Sequence, residues 1–511
     1  MAWRSLFAAS KINSLPAGFL NRFERSAVRV SASFVGDSEV CGSNLVGATL
    51  TQGLFNSRSL TSESGAGTAP LLQHCINAAT LPDYITTETL QIENGQVLYS
   101  GMTSRELLST LFNLHLVGYE PLVDLGIKLL KSPLFKYAAF RIPVLYAVKQ
   151  TAYSHFCAGE NVVEASATLR RMWELGLKGI LDYSLEDATD NVSCDNNLQE
   201  FLNTVQTTLR LPAGSVSFAC VKITAICPLL LLERVSDLLR WQHRQNDNVS
   251  LPWMQDTLPI LAPSSPTYHT TSAPESLTAT EETDLKLAED RLLTLCKACE
   301  ENSLPLLIDA EYTSVQPAID YFTYSASLKF NKSAKPLVYG TIQAYLKDAL
   351  PRLQLVSDEA TRRGIQIGLK LVRGAYITRE SSLAASLGAP SPIHSSIQDT
   401  HRCYDACAGV MMEKAAMAEA SVVLATHNFE SGKAAAAKAE ELNIRKGNDR
   451  VEFAQLKGMA DSLSSGLVQA GFQVSKYLPF GPVDHVLPYL IRRAEENRGL
   501  LCTTKADRHR I

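Results

Sequence analysis

The stretch IQIGLKLVRGAY, residues 365–376, is a short apolar run whose second half is crowded with polar side chains. Isoleucine, leucine and valine dominate its first eight residues, and the run is shorter than a typical helix, which indicates a buried β-strand. Lys370, Arg373 and Tyr376 punctuate its C-terminal half. In α/β barrels, functional side chains lie at the C-terminal ends of the strands. This stretch therefore predicts a buried strand and places a functional site at its C-terminal end.

Seven further segments repeat this pattern along the chain. They are LKGILDYS (177–184), SFACVKITAI (217–226), LPLLIDAE (304–311), LVYGTIQAYL (337–346), SVVLATHN (421–428), VEFAQLKGM (451–459) and FQVSKYLPFG (472–481). Segments rich in alanine, glutamate, lysine and arginine, such as GKAAAAKAEELNIRKG, lie between them and are typical of helices. Eight buried strands alternating with helices predict an α/β fold of the (βα)8 TIM-barrel type, in preference to an open sheet.

The remaining chain divides into flanking regions. Residues 37–100 are rich in serine, glycine and threonine and predict a poorly ordered lead-in. Residues 101–175 predict a helical arm, which begins with the capping-box pattern of Thr103 and Glu106. We place the barrel at 176–500 and a C-terminal tail at 501–511. The Pro-, Ser- and Thr-rich segment 243–280 predicts a mobile surface insertion.

The first 36 residues differ from the rest in charge. They contain Arg4, Lys11, Arg22, Arg25 and Arg29 against the single acid Glu24, with many serines and alanines. This basic, serine-rich and acid-poor composition is typical of a mitochondrial or plastid transit peptide.

Composition excludes several classes of function. A net charge of −4 and a pI near 6.2 argue against nucleic acid as the main partner. No run of 18 apolar residues occurs, so a transmembrane helix is not expected. The 11 cysteines form no zinc framework and no His/Cys cluster indicates a metal, so we expect free thiols in a reducing compartment. A glycine-rich strand–helix turn for nucleotides is also missing, so a nucleotide would bind at the barrel mouth.

Polar side chains mark seven of the eight predicted strand ends. They are Lys222, Asp309, Gln343, Lys370, Arg373, Tyr376, Thr426, His427, Asn428, Gln455 and Tyr477. Each has a harmless explanation when taken alone, such as a lysine that reaches the rim of the barrel. Burying all of them costs several kcal/mol unless partners are supplied. A pocket for a long polar ligand at the barrel mouth explains the set better.

The segment YLIRRAEENRG, residues 489–499, has a helical pattern with two different faces. Tyr489, Arg492, Arg493 and Glu496 share one arc, at the spacing i, i+3, i+4 and i+7. Leu487, Leu490, Ile491 and Ala494 form the opposite arc. A solvated, salt-bridged face is one interpretation, and a receptor for a carboxylate is the other, because paired arginines bind carboxylates bidentately.

Five motifs in this order resemble the mitochondrial proline dehydrogenase family, and the plant members most. They are LIDAE, LKLVRGAYITRE, ATHNFES, EFAQLKGMAD and KYLPFGPVDHVLPYLIRRAEENRG. The resemblance covers roughly residues 105–500 apart from the insertion. It implies a distorted barrel with the C-terminal helix over its mouth, non-covalent FAD, and oxidation of L-proline to Δ1-pyrroline-5-carboxylate by hydride transfer to the flavin.

The resemblance also implies roles for the substrate-side residues. Arg492 and Arg493 would clamp the substrate carboxylate with Lys222 as a third cation, and Glu496 would orient the arginines. Tyr489 and Tyr477 would pack against the pyrrolidine ring, and Asp309 would hold this network together. The bulky Tyr477 favours proline, because hydroxyproline-oxidising relatives tend to carry a smaller residue there.

On the cofactor side, the resemblance implies contacts to FAD from Gln343, Lys370, Arg373, Gly374, Ala375, Tyr376, Thr426, His427, Asn428 and Gln455. Arg373 and the adjacent backbone would meet the pyrophosphate. Lys370 stands where bacterial members usually have an arginine near the flavin N5, and a lysine loses the planar fork of that arginine.

The same resemblance implies ubiquinone as electron acceptor, and therefore peripheral contact with the matrix side of the inner mitochondrial membrane. Three other functions stay open. One is hydroxyproline oxidation, another is an aldolase-like lyase that uses Lys222 as a Schiff-base nucleophile, and the third is a metabolite-binding barrel without catalysis.

Overall fold

The computed structural model describes residues 120–246 and 248–499, together with Leu108 and Leu111. Of Glu120, Leu122 and residues 496–499 only the backbone is described. The predicted transit peptide, the lead-in, the capping box at Thr103 and the C-terminal tail lie outside these residues, so their assignments stay predictions.

Eight parallel strands close into a barrel in the order of the chain, with β8 paired to β1. They are β1 (Lys178–Tyr183), β2 (Val216–Val221), β3 (Leu306–Ile308), β4 (Val338–Gln343), β5 (Ile367–Val372), β6 (Ala420–Ala425), β7 (Val451–Leu456) and β8 (Gln473–Phe480). Each lies within a segment predicted as a strand, or within one residue of it. The predicted barrel is confirmed.

Helices precede, connect and follow the strands. They are α1 (Glu120–Leu130), α2 (Ala138–Val148), α3 (Val162–Glu174), α4 (Asn191–Thr208), α5 (Leu229–Arg244), α6 (Ala279–Glu301), α7 (Gln316–Phe330), α8 (Ala349–Arg362), α9 (Ile377–Ser386), α10 (Ile397–Ala416), α11 (Phe429–Glu441), α12 (Asp461–Ala470) and α13 (Val483–Gly499). A π-turn, Lys149–Tyr153, continues α2. Several start at a side-chain cap, such as Asn428 for α11 and the Thr278–Glu281 capping box for α6.

The interior of the barrel is filled by side chains and is not a channel. An apolar plug of eight buried residues fills it: Ile180, Phe218, Cys220, Leu307, Tyr339, Val423, Ala454 and Tyr477. Gly368 makes room for this plug, since a Cβ there would lie 2.7 Å from the Tyr339 ring. A ligand can therefore bind only above the plug, at the carboxyl ends of the strands.

The described residues of the segment 245–278 form no helix or strand, and part of the segment is buried although its composition indicated the surface. Leu258 and Ala262 are fully buried, and Leu251 and Ile260 are nearly so. The backbone N–H of Gln255 donates to the Tyr321 hydroxyl of α7 at 3.1 Å. Proline and serine give the segment an irregular path, while its apolar residues join the core between α5 and α7. Its predicted mobility stays a prediction.

The helical arm packs against α13 and fixes its start. Tyr153 donates a hydrogen bond to the carbonyl oxygen of Gly481, at the turn between β8 and α13, with a distance of 2.7 Å. Tyr153 and Phe156 form one apolar cluster with Val486 and Leu490 of α13. Within the described residues, no helix is both long and apolar enough to cross a membrane.

Candidate active site

The polar residues predicted at the strand ends converge on the barrel mouth, because parallel strands bring their carboxyl ends to the same edge. Lys222 and Asp309 each directly follow a strand, and Gln343 ends one. The predicted strand segment 217–226 ends earlier than expected, at Val221, so that Lys222 is the first residue after β2. All three side chains are buried.

Asp309 joins β3 to the strands on both sides of the mouth. The Nζ atom of Lys370 on β5 donates to its Oδ1, and the Tyr477 hydroxyl on β8 donates to its Oδ2 at 2.7 Å. Burial would raise the pKa of Asp309, but Lys370 and Lys222 outweigh burial and hold this pKa below its usual range. Asp309 is therefore a fixed negative charge between two lysines.

Lys222 is paired with a carboxylate that sequence reasoning missed. Its Nζ atom lies 3.6 Å from Oδ2 of Asp182 on β1, and both side chains are almost fully buried. Burial would lower the pKa of Lys222, but Asp182 and Glu186 outweigh it and raise this pKa well above the ordinary value. Lys222 is consequently a permanent cation at the mouth.

The two arginines of α13 point towards the barrel. Arg492 binds Glu186, in the loop after β1, through Nη1–Oε1 and Nη2–Oε2 distances of 2.8 and 3.0 Å. Its guanidinium carbon also lies 5.5 Å from the centre of the Tyr376 ring. Arg493 is 8% exposed and lies 5.3 Å from the centre of the Tyr489 ring, which is also buried. Both charges are thus withdrawn from bulk water.

Glu496 is the predicted partner of the two arginines, and only its backbone is described. The side chain of Glu496 lies outside the described part of the chain, so its orienting role stays a prediction. Among the described residues, Glu186 holds Arg492. Arg492 overcomes the effect of burial and keeps the pKa of Glu186 below its usual range.

Arg373 is the centre of a second polar group, on the side of β5 and β6. It donates to His401 Nδ1 at 2.9 Å, to Thr426 Oγ1 at 2.7 Å and to Ser431 Oγ at 2.7 Å. Its guanidinium stacks 4.1 Å from the centre of the Tyr404 ring. Four side chains thus hold this cation in one orientation, and two of its five N–H donors are left for an anionic ligand.

The remaining cofactor-side residues surround this group. Asn428 caps α11 by accepting from the N–H of Ser431, while His427 accepts from the N–H of Leu456 at 3.1 Å. Burial lowers the pKa of His427 to about 3, so it stays neutral. Gln343 donates to the carbonyl oxygen of Glu311 at 2.6 Å. Gln455 accepts from Ser464 at 2.9 Å, while its buried Nε2 has no hydrogen-bond partner among the described residues.

A cleft of about 390 Å³ opens beside α13, and the segments that follow β1, β3 and β5 line it. Gly374, Ala375 and Tyr376 line it on one side and Arg492 on the other. Gly374 has φ +128°, a conformation that favours glycine, and a Cβ there would lie 2.5 Å from the Tyr345 ring. A glycine is therefore needed here for the backbone after β5 to pack against Tyr345 where it lines the cleft.

Sequence reasoning missed three acidic residues of this mouth. Asp182 and Glu186 belong to β1 and its loop, the one strand end at which no site residue was predicted, and Glu311 follows Asp309 by two residues. Burial raises the pKa of Glu311 to about 8. A signal was present, since Asp182, Lys222 and Asp309 each come two residues after an inward-facing member of the apolar plug.

A closed parallel barrel with a mouth of buried cations, buried carboxylates and tyrosines defines a (βα)8-barrel enzyme that acts on a small charged ligand. The sequence profile of the proline dehydrogenase family matches residues 165–505. The chain is 49% identical to proline dehydrogenase 1, mitochondrial, of Arabidopsis thaliana, over 82% of this chain and 84% of that protein. It is 50% identical to proline dehydrogenase 2, mitochondrial, of the same plant, over 82% of this chain and 88% of that one.

A comparison of folds agrees with this assignment. The crystal structure of proline utilization A from Bdellovibrio bacteriovorus, inactivated by N-propargylglycine, superposes with a TM-score of 0.54 at 20% identity. It covers 79% of this chain, and the chain spans 38% of that longer protein, so the likeness concerns the fold alone. The chain belongs to the proline dehydrogenase family.

Proposed function

We propose that the protein oxidises L-proline to Δ1-pyrroline-5-carboxylate with FAD as hydride acceptor and passes the electrons to ubiquinone. One observation carries the substrate assignment: both arginines of α13 are turned towards the barrel mouth, where Arg492 lines the cleft and Arg493 is buried. A solvated surface pair would not be withdrawn from water in this way. Buried guanidinium groups at the mouth of an enzyme favour a substrate with a carboxylate.

Three cations serve the substrate carboxylate in this proposal. Arg492 and Arg493 supply planar donors, and Lys222 adds a point charge from the opposite side of the mouth. Tyr477 and Tyr489, both buried, offer flat apolar surfaces to the pyrrolidine ring. Asp309 fixes the Tyr477 ring through its hydroxyl.

The residues on the other side of the mouth fit FAD. Gln455 has a buried amide Nε2 without a hydrogen-bond partner in the described part of the chain, which suits an acceptor on a bound ligand. Arg373 is held rigidly with donors to spare, and the backbone at Gly374 and Ala375 lines the cleft, as binding of a pyrophosphate requires. Thr426, His427, Asn428, Gln343 and Tyr376 complete this group. When bound, FAD supplies the two-electron acceptor that the protein side chains lack.

Lys370 would lie near the reacting part of a bound flavin, as the resemblance to the family implies. Its ammonium is already bound to Asp309 and lies 5.2 Å from the centre of the Tyr477 ring. The charge therefore stays close to the mouth although the planar fork of an arginine is missing. We assign Lys370 a role in setting the electrostatic potential at the flavin.

Tyr477 favours proline over hydroxyproline. The ring is buried and tied to Asp309, so it cannot move aside without breaking a 2.7 Å hydrogen bond. A hydroxyl on the pyrrolidine ring would need the volume that this phenol fills, together with a polar partner there.

The lyase alternative is disfavoured by the state of Lys222. A Schiff-base nucleophile must be neutral to attack a carbonyl group, whereas Asp182 and Glu186 hold Lys222 in its charged form. Borohydride trapping with a carbonyl substrate should accordingly give no adduct at this lysine.

Ubiquinone as acceptor implies a place at a membrane. The two Arabidopsis relatives are named mitochondrial. We propose peripheral attachment to the matrix side of the inner mitochondrial membrane. Flotation of the mature protein with liposomes, without and with anionic lipid, tests this attachment.

An anaerobic titration of the purified protein with L-proline, followed by trans-4-hydroxy-L-proline, tests the whole proposal. We expect a yellow protein whose visible flavin band is bleached by proline and to a much smaller extent by hydroxyproline. A colourless protein, or a flavin band unaffected by proline, would refute it. Stronger bleaching by hydroxyproline would assign the alternative substrate.

A further inference from the structure

The strongest unassigned feature at the mouth is Asp182, a buried carboxylate with one unused oxygen. Its Oδ2 accepts from Ser184 Oγ at 3.1 Å and faces Lys222 Nζ at 3.6 Å. Its Oδ1 is inaccessible to solvent and has no hydrogen-bond partner within residues 120–246 and 248–499. Leaving a buried carboxylate oxygen without a partner costs free energy, and such an atom at a functional site indicates that a ligand completes it.

In the neighbouring carboxylates each oxygen already has a donor. Lys370 and Tyr477 occupy the two oxygens of Asp309, and Arg492 occupies both oxygens of Glu186. The tyrosine hydroxyl has a single hydrogen, which it already donates to Asp309. Asp182 therefore has the acceptor that its neighbours Asp309 and Glu186 lack.

The Asp182–Lys222 pair is complementary in charge to an α-amino acid. Its carboxylate matches the ligand's ammonium group, and its ammonium group matches the ligand's carboxylate. A zwitterionic amino acid carries its ammonium nitrogen and its carboxylate on the same carbon, so that nitrogen and the nearest oxygen lie roughly 3 Å apart. One such ligand can contact a protein cation through its carboxylate and a protein anion through its ammonium only if those two groups lie within a few ångströms of each other. Lys222 and Asp182, at 3.6 Å, meet that condition.

We propose that Asp182 binds the ring ammonium of the substrate through Oδ1, while Lys222 binds the carboxylate on the adjacent carbon. The proposal rests on the function proposed above and assigns a substrate class, the zwitterionic α-amino acids, to this pair of side chains. It places strand β1 in the site, alongside β2 and α13. The electrostatics agree: burial raises the pKa of Asp182 against the opposing effect of Lys222, as expected for a carboxylate short of donors.

The test compares two ligands in two proteins. L-Proline carries the ammonium, whereas tetrahydro-2-furoate has an oxygen in its place and keeps the carboxylate. The Asp182→Asn variant of the full-length holoenzyme keeps the shape of the side chain and removes its charge. We expect KM for proline to rise about 100-fold, and the dissociation constant of the furoate to change less than about threefold, because only proline loses a charged hydrogen bond.

One control variant and two possible outcomes separate this role from a purely structural one. Lys222→Met removes the carboxylate partner and should weaken both ligands. If Asp182→Asn weakens both ligands equally, Asp182 only positions Lys222 and the proposal fails. If neither ligand is affected, it also fails.

A second variant keeps the test decisive if Asp182→Asn does not fold. Asp182→Glu keeps the charge and should retain the preference for proline over the furoate, and loss of that preference would overturn the proposal. Failure of the proposed oxidation would be a different result. A wild-type protein that binds proline without bleaching of the flavin band would refute the oxidation, but the ratio of its affinities for proline and the furoate could still be measured.

Discussion

Arg492 of α13 and Glu186 of the loop after β1 form a bidentate ion pair across the cleft, with nitrogen–oxygen distances of 2.8 and 3.0 Å. The donors that would bind a substrate carboxylate are thus already bound to a protein carboxylate. Substrate binding then exchanges one carboxylate for another, which keeps a cation from standing unpaired in a low-dielectric site.

This exchange predicts the effect of Glu186→Gln. An incoming carboxylate would no longer compete with a charged side chain, so we expect KM for proline to fall about threefold to tenfold. Steady-state kinetics with a soluble quinone measure it. A higher KM would show that Glu186 orients Arg492 more than it competes. Lys131→Gln, which breaks the more exposed ion pair between Lys131, just after α1, and Glu495 of α13, is the matched control and should leave KM unchanged.

Removing either arginine should have the opposite effect. Arg492→Ala and Arg493→Ala each delete charged hydrogen bonds to the substrate, so we expect KM for proline to rise about 100-fold. The visible spectrum of the bound flavin should stay nearly unchanged. Loss of the flavin as the main effect would contradict the assignment of these residues to the substrate.

Tyr477→Ser should change the choice between substrates. The smaller side chain opens volume next to the pyrrolidine ring and leaves a hydroxyl for hydrogen bonding. We expect the ratio of kcat/KM for trans-4-hydroxy-L-proline to that for proline to rise at least about tenfold. Tyr477→Phe, which keeps the volume, is the control and should leave the ratio near that of the wild type. If the ratio were unchanged in Tyr477→Ser as well as in Tyr477→Phe, the Tyr477 ring would not contact the pyrrolidine ring of the substrate.

Lys370→Met should make the flavin harder to reduce. A cation near the flavin stabilises the additional negative charge of the reduced form, so its removal should shift the midpoint potential by about −30 mV or more, which is about 1.4 kcal/mol for two electrons. Spectroelectrochemistry measures this shift. Lys370→Arg keeps the charge and should stay close to the wild-type potential. A positive shift in Lys370→Met would contradict the proposed role.

His155 should make the stability of the protein depend on pH. Burial lowers its pKa to about 4 in the folded state, and its ring Nε2 lies 2.8 Å from the carbonyl oxygen of Gly458. Between pH 6.5 and 4 the unfolded chain takes up a proton that the folded protein does not. The free energy of unfolding should therefore fall with decreasing pH, by up to about 3 kcal/mol.

Urea unfolding at several pH values between 7 and 4 tests this dependence. His155→Gln removes the titrating group, so its loss of stability over this range should be smaller than that of the wild type. His485→Gln, at an exposed position of α13, is the comparison and should follow the wild-type curve. Parallel curves for wild type and His155→Gln would exclude His155 as the cause.

The sequence predicts the barrel well because its strands are buried on both faces. Continuous apolar runs such as that around Leu369 and Leu371 mark every strand, and the polar residues that follow them mark the mouth. The pattern misses a site residue that lies within a strand, on its inner face, and not at the end of the strand. Asp182 lies within β1 and is hidden among apolar neighbours, although strand alternation puts its side chain inside the barrel.

The other misses have a similar origin. The composition of residues 243–280 indicates a surface segment, because proline, serine and threonine together outnumber its apolar residues. A few leucines and an isoleucine nevertheless suffice to bury part of it beside α7. Likewise, the two arcs of α13 separate charge from apolar residues, but both arcs are largely covered. The arm packs against Val486 and Leu490, while Arg493 is buried as well.

The guanidinium groups that we propose for the substrate lie on the last described helix, behind all eight strands in the chain. A chain truncated before Val483 would keep every strand but lose both Arg492 and Arg493. Such a truncation would separate the two proposed functions of the mouth, because the strand-end residues proposed for FAD would remain while both arginines proposed for the substrate carboxylate would be lost.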